Sequence, residues 1–249
     1  MTHTVGGGIE RRDPSWPEQI LLPGQAAAPD GPVDMHMMYV AHFGFRRDLA
    51  AFAAAAAVTP VEDRATWAAL SARWSLFATV LHHHHNGEDA GLWPLLLERT
   101  DEADRAVLDA MEAEHGEIDP ILMACEAGFA KLAAGGDADT RNALVVRLCA
   151  GRESLGRHLA HEETEAIAII QRVLDQADWD RVTEEHFEPK DVSLPLLLSG
   201  IPWVAYRLPE PGLRKLLAGW PAPMRLLWRL TRRGFARRER RAFRYVGGR

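Results

Sequence analysis

The chain has 249 residues, 47% of them apolar and 26% charged, with a net charge of −6. That length holds one large domain, or one domain of about 140 residues with sizeable extensions, and the balance is that of an ordinary soluble globular protein. The two cysteines, Cys125 and Cys149, exclude a disulfide framework. Both sit among apolar residues and are expected as buried free thiols, which fits a reducing, cytoplasmic location. The opening MTHTVGGGIERRD has no apolar core for a signal peptide. The most apolar later stretch, Leu194 to Tyr206, is interrupted by Gly200 and Pro202 and is too short to span a membrane.

Residues 1–33 are rich in Gly, Pro, Ala and polar residues and read as a flexible N-terminal leader. Helical periodicity then begins. Met38, Ala41, Phe45, Leu49 and Phe52 recur at spacings of three and four, the pattern of an amphipathic helix. Thr59-Pro60 ends it, because the residue before a proline resists helix. A second helix starts near Glu62 and carries Trp67, Leu70, Trp74 and Phe77 toward His85, with Gly87, Gly91 and Pro94 weakening or bending its end. A third runs from Asp101 to about Ala134, with Pro120 as an expected kink, and stops at Gly135-Gly136-Asp137. A fourth runs from about Asp139 to Asp175. No stretch alternates as a half-buried strand does. Four helices joined by short turns predict an all-α, up-down four-helix bundle over residues 34–175.

Residues 176–249 differ. Seven prolines from Pro189 to Pro223 cut the chain into short helical pieces. From Met224 onward ten arginines face one acid, Glu239, a local charge of +9 that leaves −15 on the remainder (−6 minus +9). This basic tail is expected to cover the bundle as a helix, to lie on an anionic membrane, or to contact nucleic acid or another acidic partner.

The histidines carry the chemical signal. His84 and Glu88 form an H-x-x-x-E pair, and His158 and Glu162 form another. Residues four apart on a helix project from one face, so an imidazole and a carboxylate so placed can share a metal. His42 lies on the apolar stripe of the first helix, and His115 lies mid-way along the third. Counting residues from each connecting turn puts His42, His84, His115 and His158 at similar height, with mismatches of up to about five residues, or about 8 Å at roughly 1.5 Å rise per residue. All four helices therefore present a ligand in one layer. Neutral imidazoles and carboxylates suit iron, zinc and manganese. Glu88 and Glu162 have two oxygens each and can bridge two cations, which offsets the cost of burying them.

These runs — HHHHNGEDAGLWP from His82, Glu114-His115, HLAHEE from His158, and MMYVAHFGFRRDL around His42 — resemble the hemerythrin and HHE cation-binding family over about residues 34–175. The resemblance implies a non-haem di-iron centre held by His42, His84, Glu88, His115, His158 and Glu162, with carboxylate bridges; other divalent metals suit the same ligands. It implies binding or sensing of oxygen, nitric oxide or peroxide, or iron handling. A di-iron enzyme reducing peroxide or oxygen is the alternative. A metal-free helical interaction module acting through its basic tail is a third reading. Two departures stand out. The family's oxygen carriers place two histidines four apart on the third helix, whereas here Met111 and Asp119 flank His115, so one imidazole is missing and more open coordination is expected. The carriers end with His-x-x-x-x-Asp, and this chain has His-x-x-x-Glu.

Neighbouring residues on a helix point about 100° apart, so His82, His83 and His85 do not all share the direction of His84. They are expected in solvent or around the site, with His83 or His85 as the substitute ligand. His161 with Glu165, and His36, are second choices. Asp89 and Glu163 are expected to face solvent or to orient a ligand histidine. Phe45 and Trp93 are candidates for excluding water. A ferritin-like site needs Glu-x-x-His on two helices, and only Glu112-x-x-His115 is suitably placed.

Overall fold

The computed structural model describes residues 13–187 and 193–246, and among these there are helices and no strand. Helix α1 (His36–Val58) stops at Thr59, whose hydroxyl and N–H both return to the Ala55 carbonyl. Pro60 then prevents another turn. Helix α2 (Arg64–Gly87) starts at Asp63, whose side chain accepts the Thr66 N–H, a capping bond that satisfies an orphan donor. The chain then widens into a π turn, Glu88–Leu92, before the short α3 (Trp93–Leu97). Pro94 has no N–H, and its ring would meet the carbonyl four residues back in a regular helix, so a wider turn accommodates it.

Helix α4 (Glu102–Ala134) is capped by Asp101 and continues through Pro120. It ends at Gly135 with φ of 112°, a left-handed conformation that suits glycine. The Gly135 and Gly136 N–H groups return to the Leu132 and Lys131 carbonyls. Helix α5 (Ala138–His161) leads into a second π turn, Glu162–Ala166, then α6 (Ile167–Val173) and α7 (Gln176–Val182). A third π turn, Thr183–Phe187, follows. The proline-rich extension forms α8 (Leu194–Val204), α9 (Glu210–Gly219) and α10 (Ala222–Ala242).

The four long helices pack side by side, α4 against α2 and α5, and α1 against α5. Their paired contacts run in opposite chain order. Phe45 meets Phe77 and Phe52 meets Trp74 between α1 and α2; Trp67 meets Phe129 and His85 meets His115 between α2 and α4. Between α4 and α5, His115 meets His158 and Gly128 lies under Leu144.

The apolar core divides into two clusters. One is aromatic and holds Phe52, Trp67, Trp74, Phe77 and Phe129. The other holds Tyr39, Leu92, Trp93, Met111 and Ile167. On α1, His42 falls between Tyr39 of one cluster and Phe45 of the other; on α4, His115 falls between Met111 and Ile118. The histidine layer therefore sits at the junction, walled from water at both ends.

Two sequence expectations need correction here. Residues 1–12 of the expected flexible leader lie outside the described residues, but residues 13–33 pack on the helices. Leu22 and Val33 are buried, the Gln19 amide donates to the Val33 carbonyl, and the Val33 N–H donates to Gln171. The expected pair of buried thiols is half right: Cys125 is buried and Cys149 is exposed, and both are free. Cys149 is on the outward face of α5, a position that apolar neighbours in sequence did not reveal.

The extension lies against the bundle. Trp203 of α8 stands over Gly44, where a Cβ would come within 2.9 Å of its ring, and its indole N–H donates to Asp48. Asp48 also meets Arg47 and Arg73, while Arg73 reaches Glu239 of α10. Asp48, Arg73 and Glu239 are all buried. Burial alone would raise the Asp48 pKa, but the charges of Arg47 and Arg73 hold it below the usual carboxylate value.

Candidate metal centre

Helix α1 contributes His42, α2 contributes His84 and His85, α4 contributes His115, and α5 contributes His158. Glu88 and Glu162 each stand at the first position of a π turn, one helical turn after His84 and His158. All seven side chains are buried, and Glu88 and Glu162 are 0% exposed. They form two groups that share Glu88. His42, His84, Glu88 and Glu162 bring one ligand atom each within 4.8 Å of one another, and so do His85, Glu88, His115 and His158. The six residues expected from sequence are thus brought together. His85, expected as a substitute ligand, joins them in addition to His84. The candidate donors are five imidazoles and two carboxylates, so an imidazole of the second helix stands beside the one histidine of the third. The ring of His85 stacks on that of His115 at 3.9 Å.

The polar atoms of this layer lack partners. The Nε2 atoms of His42 and His84, both ring nitrogens of His85, and all four carboxylate oxygens of Glu88 and Glu162 are buried without a hydrogen bond. His42 Nε2 lies 3.1 Å from Glu162 Oε2, and His84 Nε2 lies 3.1 Å from Glu88 Oε1; these are close approaches without hydrogen-bond alignment. The Nε2 atoms of His115 and His158 face each other at 3.1 Å. Buried polar groups are normally hydrogen-bonded, since an orphan costs about 1–3 kcal/mol and a charged one more. So many orphans converging on one layer fit cations bound among them.

The other side of each ring is held. His42 Nδ1 lies 2.9 Å from Glu163 Oε1, His115 Nδ1 lies 2.8 Å from Asp89 Oδ1, and His158 Nδ1 lies 2.9 Å from Glu114 Oε2. An ionised carboxylate only accepts, so each Nδ1 carries a proton, and Nε2 is the nitrogen that could offer a lone pair inward to a cation. Glu163 is itself clamped by both guanidinium nitrogens of Arg46 and by the Ala26 N–H. The segment before α1 therefore helps to hold a histidine of the layer. Asp89 and Glu163 orient histidines, one of the two roles expected for them. Glu114 was missed: it is the residue before His115 but reaches across to His158 and His161, and nothing along the chain marks that direction.

Electrostatics describes the same conflict. Burial and the neighbouring Glu162 push the Glu88 pKa well above its ordinary value, because two carboxylates this close resist ionising together. Burial and the other histidines push His84 well below its ordinary value. Burial opposes a charge on His42, yet Glu162 and Glu163 outweigh it and raise that pKa to about 9. A divalent cation in place of protons would let both carboxylates ionise.

The remaining candidates lie elsewhere. His82 is exposed. His83 meets the Phe187 carbonyl at 2.8 Å, and His161 meets Glu114. His36 is buried outside both groups. Phe45 packs on His84 with ring centroids 5.1 Å apart, and Phe187 packs on it at 6.1 Å. Trp93 is buried in the neighbouring apolar cluster. Gly87 and Gly91 let the Thr183–Phe187 turn approach: a Cβ on Gly87 would meet the Phe187 ring at 2.9 Å, and one on Gly91 would collide with His186. Glu112 is exposed, which removes the ferritin-like reading.

The comparisons agree with this geometry. The family model of the hemerythrin HHE cation-binding domain matches residues 33–170. No curated protein and no solved structure matches the chain. The family match covers more than half of the 249 residues and contains all seven layer residues. The chain belongs to the hemerythrin HHE cation-binding domain family.

Proposed function

We propose that this protein carries a two-metal, di-iron centre and binds or senses a small oxidant or diatomic molecule: oxygen, nitric oxide or peroxide. The observation that carries the reading is the shared Glu88 between two four-residue donor groups whose inward atoms, apart from the facing Nε2 pair of His115 and His158, have no hydrogen-bond partners. His42, His84 and Glu162 would hold one cation and His85, His115 and His158 the other, with Glu88 common to both groups. Imidazole nitrogen and carboxylate oxygen suit iron, and zinc or manganese fit the same donors. When bound, such a pair supplies redox chemistry and a site for a small ligand. The protein's part is to fix the rings through Glu163, Asp89 and Glu114 and to keep water out with Phe45 and Phe187. The supporting frame in this reading is an up-down four-helix bundle over residues 34–175, carrying the extension from residue 176, in a reducing, cytoplasmic setting that suits two free cysteines.

An enzyme using the same centre is the second reading, favoured by the paired cation positions. Turnover of peroxide or oxygen by the iron-loaded protein separates it from a binder. A metal-free interaction module would have to leave the layer's orphan atoms buried, which argues against it. The test is metal content after aerobic purification without a histidine tag, together with an ultraviolet-visible spectrum. About two irons per chain with near-ultraviolet charge-transfer bands are expected. No iron bound, even after anaerobic loading, would overturn the reading.

A further inference from the structure

The arginine-rich helix α10 offers a surface that the metal centre does not use. Its inner face is settled: Phe235, Glu239 and Ala242 are buried, and Glu239 is taken by Arg73. Glu239 is also the one acid after Met224, so it does not neutralise the outer face. At about 100° per residue, Leu226, Leu230, Arg233, Arg237 and Arg240 follow one another at spacings of four, three, four and three and form a single outward stripe. All five are exposed, Leu226 at 56% and Leu230 at 70%. Among the described residues no acid lies within ion-pair distance of Arg229, Arg233, Arg237, Arg240 or Arg241; the ion pair nearby is Arg244 with Asp63. The described acids therefore leave this face unpaired.

We propose that the outward face of α10 docks on an anionic phospholipid surface, with the arginines on headgroup phosphates and Leu226 and Leu230 in the headgroup–acyl boundary. Two observations select lipid. Apolar side chains this exposed stay in water against a nucleic-acid backbone, whereas an interfacial helix buries them while its cations meet anionic headgroups. Beside the stripe, a groove of about 500 Å³ lies between α2 and α10, with Ala65, Ala68, Ala69 and Ala72 on one wall, Arg238 and Arg241 at its edge, and Ser199 and the paired Arg73 and Glu239 also lining it. An alanine wall beside arginines suits an acyl chain beneath a phosphate. No helix among the described residues is long and apolar enough to cross a membrane, so the attachment is to the surface.

The test is flotation of the purified full-length protein with vesicles of phosphatidylglycerol and phosphatidylcholine, against pure phosphatidylcholine. Binding to the anionic vesicles alone is expected, released at about 0.5 M salt, where the Debye length falls to a few ångströms. R233E/R237E/R240E is expected to cut the bound fraction about tenfold or more. L226A/L230A is expected to cut it several-fold. Both variants should keep helix content and metal content, because all five side chains are exposed. No flotation with anionic vesicles at low salt overturns the proposal. So does arginine-dependent binding to duplex DNA or RNA with no vesicle binding, which assigns the face to nucleic acid, and so does vesicle binding that the arginine reversals leave unchanged.

Discussion

The molecule buries two polar clusters, and they are built in opposite ways. In the Asp48–Arg73–Glu239 cluster, opposite charges meet one another. Asp48 takes Arg47, Arg73 and the Trp203 indole, and Glu239 takes Arg73. In the histidine layer, two carboxylates and several imidazole nitrogens converge without hydrogen bonds between them. Burial alone therefore does not mark a metal site. The first cluster pairs its own ions, though Arg73 Nη1 is left without a partner, and joins α1, α2, α8 and α10. The second has the make-up of a group that could hold cations from outside the chain.

The sharpest way to break this comparison is to remove the shared ligand. Glu88→Ala with Glu162→Ala should abolish metal binding, from about two ions per chain to essentially none by elemental analysis. Removing metal from the native protein by chelation should lower its stability by about 4 kcal/mol or more, the linkage value for a ligand present at about a thousand times its Kd. Thermal unfolding of holo and chelated protein compares the two directly, and equal midpoints would mean that the layer does not need cations.

The ion-paired cluster predicts the reverse pattern. Arg73→Met strands Glu239, leaves Asp48 with only Arg47 and the Trp203 indole, and should cost about 3–5 kcal/mol in chemical denaturation, with metal content unchanged. Replacing all three partners with apolar residues of similar size should restore most of that loss, since a buried ion cluster is often exchangeable for packing. No apolar replacement rescues metal content in the histidine layer. Rescue there would place the two clusters in one class.

Smaller effects sharpen the roles of the orienting carboxylates. Asp89→Asn and Glu114→Gln should each weaken metal affinity about 10–100-fold, read by competition with a chromophoric chelator, with the fold intact. An unchanged affinity would reduce those contacts to surface hydrogen bonds. The smallest effect concerns pH. The Asp48 pKa is lowered in the folded protein, so its contribution is fully present above the unfolded carboxylate value near 3.9. It is lost as pH falls through the lower folded value. Asp48→Asn should therefore flatten the acid limb of the stability curve below about pH 4, and an unaltered slope would show that Asp48 is not held ionised.

Much of this was legible along the chain because helices repeat. Thr59-Pro60, Asp63, Asp101 and Gly135-Gly136-Asp137 mark helix ends through local chemistry that needs no partner: α1 ends, α2 and α4 start, α4 ends and α5 starts beside them. The H-x-x-x-E pairs and the distances of four histidines from their turns put them at one height. His85 was harder to place because a single helix was considered as having one inward direction. Helix α2 touches two neighbours, so adjacent residues about 100° apart can both point inward: His84 toward His42 and His85 toward His115.

The sequence by itself determined the main helices, their order and the chemical kind of the candidate site, and it named six of the seven side chains that the fold brings together, because capping and helical spacing act within a few residues. Only the tertiary structure decided the rest. Glu163, Asp89 and Glu114 became ring-holding groups because other helices brought histidines to them. The π turn at Glu162 has no proline or glycine to announce it. Gly44, Gly87 and Gly91 acquired their meaning from Trp203, Phe187 and His186, which arrive from more than 90 residues away. Residues 13–33 became part of the packed surface for the same reason: contacts between distant segments depend on how whole helices rotate and approach, and no local pattern records that.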